Sequence, residues 1–278
     1  MPQSGEGRSD PQAVAVSLDA VDISFGVGGK SEFRAVSGAD LDVSKGEFVA
    51  IVGPTGSGKS TLLNAAAGLL RPSAGMVRIE GQPLQGLNAR AGYLFQADAL
   101  MPWKTARDNV AIALEIGGTR RREALTRADD WLEKVGLKGF GDRYPHMLSG
   151  GQRKRVAMAQ VLIRDPAILL MDEPFGPLDA QTRLIMGDLL LELWQQDRKA
   201  VMFVTHDLEE AISLSDRVVI LSAGPSARII GDFAIPLSRP RDVSEIKLTP
   251  EFQSLHREIW HLLKEQVLQA YSNKERVS

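Results

Sequence analysis

Glu47-Phe48-Val49-Ala50-Ile51-Val52-Gly53-Pro54-Thr55-Gly56-Ser57-Gly58-Lys59-Ser60-Thr61 reads as three pieces in succession. The first six residues are a β-favouring apolar run. Glycines and a proline then make a turn-rich loop, and the pattern over residues 59–70 is helical. The order strand, glycine loop, helix fits G-x-x-x-x-G-K-S across residues 53–60. In that pattern glycines let backbone N–H groups turn inward around a phosphate, helped by the positive end of the following helix. Lys59 is placed to neutralise β- and γ-phosphates, and the Ser60 hydroxyl to complete a magnesium shell, because magnesium takes oxygen ligands and bridges phosphates. A plain glycine turn would leave Lys59, Ser60 and Thr61 unexplained. Gly53, Pro54, Thr55, Gly56, Ser57, Gly58, Lys59, Ser60 and Thr61 are therefore the candidate nucleotide-binding residues.

Further along, the apolar run Ala167-Ile168-Leu169-Leu170-Met171 ends in Asp172-Glu173. A buried strand ending so puts two carboxylates at the C-terminal edge of a sheet, where open α/β folds bind ligands. Asp172 would hold magnesium, and Glu173 is the natural general base for polarising an attacking water. Taken alone, the pair could be an exposed acidic strand end. The glycine loop upstream makes that reading unattractive.

Similar apolar runs return as Ala200-Val201-Met202-Phe203-Val204 and Arg217-Val218-Val219-Ile220-Leu221, with helical segments between. Nearly continuous apolar strands alternating with helices indicate an α/β fold with a parallel sheet covered on both faces. Residues 13–43 alternate as strands around the glycine-rich Gly26-Val27-Gly28-Gly29. Residues 105–131 carry charged and alanine residues at helical spacing, and a helix should start near Ser149, a good N-cap. Arg239-Pro240-Arg241 marks a boundary before a terminal helix over residues 250–270.

Composition narrows the partners. The chain has 278 residues, 44% of them hydrophobic, which suits a packed core. Its formal net charge of -2 gives no global basic field, so no nucleic-acid partner is expected. A cysteine count of 0 excludes disulfides and thiolate metal sites and suits a reducing compartment. Residues 1–13 are polar and read as a disordered tail. No apolar run approaches the roughly 18 to 20 residues that cross a bilayer, so membrane association is expected to be peripheral.

Tyr144-Pro145-His146-Met147-Leu148-Ser149-Gly150-Gly151-Gln152-Arg153-Lys154-Arg155-Val156 makes the resemblance specific, since Leu148, Ser149, Gly150, Gly151 and Gln152 are similar to the ABC ATPase signature. The resemblance implies a P-loop NTPase core with a parallel sheet, an N-terminal antiparallel β subdomain and an inserted α-helical subdomain at about residues 97–163. That domain would span residues 14–240, followed by a C-terminal helical extension over 241–278. It also implies that the signature of one subunit closes over the γ-phosphate held by another, two copies sandwiching two ATP molecules head to tail.

Other matches follow in the family's order. Gln96, after Tyr93-Leu94-Phe95, resembles the Q-loop glutamine that reaches magnesium and the attacking water. His206, in Val204-Thr205-His206-Asp207, resembles the switch histidine that contacts the γ-phosphate. Asp179, in Gly176-Pro177-Leu178-Asp179, resembles the D-loop aspartate that crosses the dimer interface, although Gly-Pro stands where Ser-Ala is more usual. Phe25 sits where the family places its adenine-stacking aromatic, with Phe33 a competing candidate and core packing an alternative for either.

A GTPase would use Asn-Lys-x-Asp after a late strand, whereas the one Asn-Lys pair, Asn273-Lys274, lies in the terminal tail. A small-molecule kinase does not explain the signature or Glu173 beside Asp172. A soluble ABC ATPase acting on nucleic acid or another macromolecule is the alternative function, but it would need twin cassettes or a long coiled-coil insert.

Leu100-Met101-Pro102-Trp103, in the loop after Gln96, offers Met101 and Trp103 either for docking a membrane subunit's coupling helix or for packing within the insert. Leu237-Ser238-Arg239-Pro240-Arg241, with Pro250-Glu251-Phe252 and a closing helix, resembles importers of nitrate, sulfonates and taurine. The resemblance therefore implies an ATPase with ATP and Mg2+, a second copy of itself, and two membrane permease subunits. It further implies indirect partnership with an extracytoplasmic solute-binding protein, and a peripheral position on the cytoplasmic face of the inner membrane.

Overall fold

The structure is a computed structural model that describes residues 14–26 and 33–275. The tail expected at 1–13, and the turn expected over Gly26-Val27-Gly28-Gly29 beyond Gly26, lie outside the described residues.

Two sheets form among the described residues. The larger contains β3 (Phe48–Val52), β6 (Ala91–Leu94), β7 (Ile168–Asp172), β8 (Ala200–Val204), β9 (Arg217–Leu221) and β10 (Ile229–Ala234), in the order β10-β9-β3-β8-β7-β6. All its pairings are parallel except β10 with β9. The smaller is antiparallel, in the order β2-β1-β4-β5, from β1 (Val14–Phe25), β2 (Phe33–Ser44), β4 (Ala74–Ile79) and β5 (Gln82–Pro83).

The apolar runs explain this layering. Every residue of β3 and β8 is buried, and successive side chains of a strand point to opposite faces. Phe48, Ala50 and Val52 enter one core with Leu169, Met171, Val201 and Phe203. Val49 and Ile51 enter a second core with Ile168, Leu170, Met202 and the apolar face of β1 and β2. Burying each large apolar side chain is worth about 1.5–3 kcal/mol, so a polar residue at either phase of these strands would be costly.

The helices are α1 (Lys59–Ala66), α2 (Ala106–Ile116), α3 (Arg121–Lys134), α4 (Gly150–Leu162), α5 (Ala180–Gln196), α6 (Leu208–Leu214) and α7 (Pro250–Glu275). The helix expected over 59–70 ends earlier, at Ala66. Gly68 adopts φ +72, its N–H donates to Ala65 O, and a Cβ there would lie 1.9 Å from Gly86 O, so glycine both stops the helix and permits a close backbone contact. The helical stretch expected over 105–131 is two helices, α2 capped by Thr105 and α3, separated at Gly117 and Gly118.

α2, α3 and α4 enclose a third core of Ala106, Val110, Ala124, Ala128, Leu132, Val156 and Ala159. Helix α4 belongs to two cores at once, since Ala157, Met158 and Leu162 turn toward the main sheet. The helical layer is thereby packed onto the sheet through the helix that begins at Ser149.

Residues 239–241, expected as a boundary, are packed as an anchor. Arg239 pairs with Asp216 at 2.7 Å and lies 4.4 Å over the Trp194 ring. Arg241 is buried and donates to the carbonyls of Ser215 at 2.7 Å and Leu237 at 2.8 Å, and burial pushes its guanidinium down to about 10. Helix α7 then joins the main core through Phe252, Ile259 and Leu263.

Candidate functional site

The glycine loop connects β3 to α1. Gly56 and Gly58 adopt φ +82 and +83, a region that glycine enters without steric cost. Gly58 is the N-cap of α1 and offers no side-chain cap, which leaves first-turn amides for an anion. A Cβ on Gly58 would lie 2.6 Å from Val36 Cγ2 of β2, so the antiparallel sheet presses directly on the loop. Lys59 is buried, and its Nζ donates to Gly53 O at 2.9 Å and Pro54 O at 3.0 Å. Burial lowers its affinity for a proton, against the pull of Glu173 and Asp172. Ser60 Oγ donates to Asp172 Oδ1 at 2.8 Å, joining the first turn of α1, which Thr61 continues, to the end of β7. Burial raises the Asp172 carboxyl above its usual range despite that hydrogen bond.

Three strand ends converge on Glu173. Its Oε2 lies 3.0 Å from His206 Nδ1 and 3.5 Å from Gln96 Nε2, groups that follow β8 and β6. Its N–H donates to Val204 O at 2.9 Å. Glu173 holds φ +42, a left-handed conformation that costs a non-glycine residue of order 1–3 kcal/mol and persists only where surrounding contacts enforce it. Beneath this cluster, Tyr93 OH donates to Asn64 Oδ1 at 2.9 Å, and burial lifts its phenol far above the ordinary value. Sequence reading assigned no role to Tyr93 or Asn64.

The signature forms a capped helix start. Ser149 Oγ accepts from Gln152 N at 3.2 Å and Gln152 Oε1 accepts from Ser149 N at 3.0 Å, a capping box that does not take the amides of Gly150 and Gly151. Leu148 is buried, and its carbonyl accepts from Arg153 at 2.7 Å. Asp179 caps α5, accepting from Thr182 N at 2.9 Å.

Sequence reading also passed over Lys154. Its side chain is 2% exposed, and its Nζ donates to Gln96 O at 3.0 Å and Phe95 O at 3.2 Å while pairing with Asp98 Oδ1 at 2.9 Å. The available signal was spacing, because Lys154 shares a helix face with Met158 and Leu162. The signature helix is thus tied to the Gln96 segment by one buried charge.

Phe25 and Phe33 face each other across β1 and β2, 44% and 50% exposed, so both stand open rather than in the core. Met101 lines a groove of about 630 Å³ with Tyr93, Phe95, Ile112, Ile116 and Val161, between the main sheet and the helical layer. Trp103 is 73% exposed rather than packed within that layer.

The donor set suits the groups that sequence reading calls for. Loop amides and Lys59 suit phosphates. Ser60, Asp172 and Gln96 offer hard oxygen donors beside them, as Mg2+ prefers.

Comparison with known proteins identifies the family. A family model described as ABC transporter matches residues 36–176. The chain is 45% identical over 237 residues to the ABC transporter ATP-binding protein MJ0412 of Methanocaldococcus jannaschii, covering 85% of this chain and 87% of that protein. It is 42% identical over 233 residues to the taurine import ATP-binding protein TauB of Rhizobium johnstonii, covering 83% and 89%. Among solved structures, the dimeric post-hydrolysis state of the ATP-binding cassette MJ0796 with ADP and Pi superposes with TM-score 0.70 at 33% identity, covering 80% of this chain and all of that one.

Proposed function

Since the chain belongs to the ABC transporter family, we propose that it is the ATP-hydrolysing subunit of an importer for a small solute of the nitrate, sulfonate or taurine kind. The observation that carries the catalytic assignment is the meeting of His206 and Gln96 at Glu173, one residue beyond the Asp172 that accepts from Ser60. In this reading Glu173 polarises a water toward the γ-phosphate, and His206 and Gln96 orient the carboxylate and the water. Lys59 and the loop amides hold the phosphates. Ser60, Asp172 and Gln96 would hold Mg2+, which supplies charge neutralisation on the phosphate oxygens.

Two copies pair head to tail, so that the Gly150 and Gly151 amides of one complete the phosphate site of the other. The relation of this chain to a cassette solved as a dimer supports that arrangement. Met101, Trp103 and the apolar groove receive the permease subunits, and a solute-binding protein delivers cargo from the other side. No described helix is long and apolar enough to cross a membrane. In this reading the subunit sits on the cytoplasmic face of the membrane, held there by its permease partners. Kinship with a taurine importer subunit supports the solute class.

Glu173→Gln tests the chemistry. Tight ATP binding should survive while hydrolysis falls by about 10²–10⁴, and hydrolysis at the parent rate would remove Glu173 from its role. A pull-down from native membranes tests the transport assignment, which fails if no hydrophobic permease accompanies the chain.

A further inference from the structure

Helix α7 turns one apolar face toward the glycine loop. Trp260, Leu263, Val267 and Tyr271 follow one another at spacings of three, four and four residues, and they line a notch of about 270 Å³ whose other wall includes Pro54, Thr55 and His206. Leu263 is buried, whereas Trp260 and Tyr271 are 42% and 66% exposed, so two aromatic rings stand on the open side of the notch. The helix is held in register there. Gln266 Oε1 accepts from Ala223 N at 3.0 Å, and a Cβ on neighbouring Gly224 would lie 2.9 Å from Gly56 O, so the same loop touches both α7 and the glycine loop. Burying phosphate requires none of these apolar groups. They suit an uncharged, ring-shaped insert.

The chain itself carries such an insert. Pro177 is exposed, in Phe175-Gly176-Pro177-Leu178, next to residues that pack on the signature. A Cβ on Gly150 would lie 3.8 Å from Leu178 Cδ2, and one on Gly151 would lie 2.6 Å from Thr182 Cγ2. A surface that receives Gly150 and Gly151 therefore receives the Pro177 segment beside them. In the head-to-tail pair proposed above, on which this inference rests, that surface is the other copy's glycine loop, and the notch is its rim. We propose that Pro177 of each copy seats in the notch of the other, against Trp260 and Tyr271, making α7 part of the closed dimer interface. A proline ring presents apolar C–H groups to the aromatic faces and has no amide N–H to desolvate.

Because the chain has no cysteine, introduced thiols report without background. In full-length chains that also carry Glu173→Gln, a tagged Pro177→Cys chain is mixed with an untagged Tyr271→Cys chain, and ATP and a mild oxidant are added. A mixed disulfide dimer should form only with ATP, since the bond requires Cα atoms within about 7 Å. Pairing Pro177→Cys with Leu248→Cys, an exposed position ahead of α7, should give none. Sedimentation of the Glu173→Gln chain with ATP reports dimerisation separately. A dimer without the mixed disulfide would overturn the seat of Pro177 and leave the head-to-tail reading standing, whereas no dimer would overturn both. The double variant Trp260→Ala/Tyr271→Ala should weaken the ATP-bound dimer by about tenfold. A dimer strengthened by that change would mean that α7 obstructs closure, and would also overturn the proposal.

Discussion

His206 Nδ1 stands 3.0 Å from Glu173 Oε2, bridging the ends of β8 and β7 across 33 residues of sequence. The contact is made by a glutamate whose own backbone is left-handed. Without its partner the carboxylate gains rotameric freedom and loses the aim at a water that we propose for it. His206→Ala should lower single-turnover ATP hydrolysis by about 10²-fold or more. ATP affinity should change much less, because Lys59 and the loop remain. Equal losses in binding and hydrolysis would instead place His206 in ground-state phosphate binding.

Lys154 links the signature helix to the segment of Gln96 from a position sealed from solvent. Lys154→Met keeps the aliphatic volume but leaves Asp98 without its buried cation. Breaking a buried pair from one side costs about 3–5 kcal/mol, or roughly 6 to 20 °C in thermal midpoint. Calorimetry of the purified variant checks this. A midpoint within about 2 °C of the parent would mean that Arg153, 3.4 Å from Asp98 Oδ2, or water takes the place of the ammonium.

Trp103 is a large exposed aromatic ring in the loop that follows Gln96. Trp103→Glu should leave ATP binding and basal hydrolysis of the isolated chain unchanged, since the ring makes no contact with the phosphate site. Co-purification with permease subunits from membranes should fall by at least about tenfold, as for loss of an aromatic anchor at an interface. Undiminished recovery would move the docking site away from Trp103.

Glu210 is buried on α6, where it accepts from Thr205 Oγ1 at 2.7 Å and faces Arg183, Asp207 and His206. Burial raises its carboxyl above the usual range, outweighing the Thr205 hydrogen bond and Arg183. A raised folded value means that the folded state holds the proton more tightly than the unfolded chain does. The group is therefore best tolerated at low pH and becomes destabilising as pH climbs from the unfolded value through the folded one. Glu210→Gln retains an acceptor for Thr205, and Arg183 keeps Asp207 at 2.9 Å. The variant should match the parent near pH 4 and melt higher than the parent at pH 7. A parent that gains on the variant as pH rises would reverse the sign.

Much of the site was legible because its requirements are local. The φ values of Gly56 and Gly58 belong to a loop between an apolar strand and a helix. The Ser149 cap and the carboxylates at the end of β7 are likewise written within a few consecutive residues. Helix boundaries were less legible, since α1 stops at Ala66 for the sake of a close approach between Gly68 and Gly86, which no local pattern reports. The position of α7 was not legible at all. Its amphipathic stripe announces a buried face, but not that the rim of that face would stand on Pro54, Thr55 and His206.

The sequence alone determined that this chain has a glycine loop between a buried strand and a helix, a carboxylate pair at a strand end and a serine-capped start to a later helix, because dihedral freedom, apolar periodicity and capping act over a few neighbouring residues. Only the tertiary structure decided that Gln96, Glu173 and His206 share one point, that Lys154 is buried beneath the Gln96 segment, and that α7 borders the glycine loop. These are contacts between residues far apart in the chain. They exist because the sheet places β3 beside β8 and β9 and puts β7 next to β8, an order settled by how the two faces of buried strands share their cores.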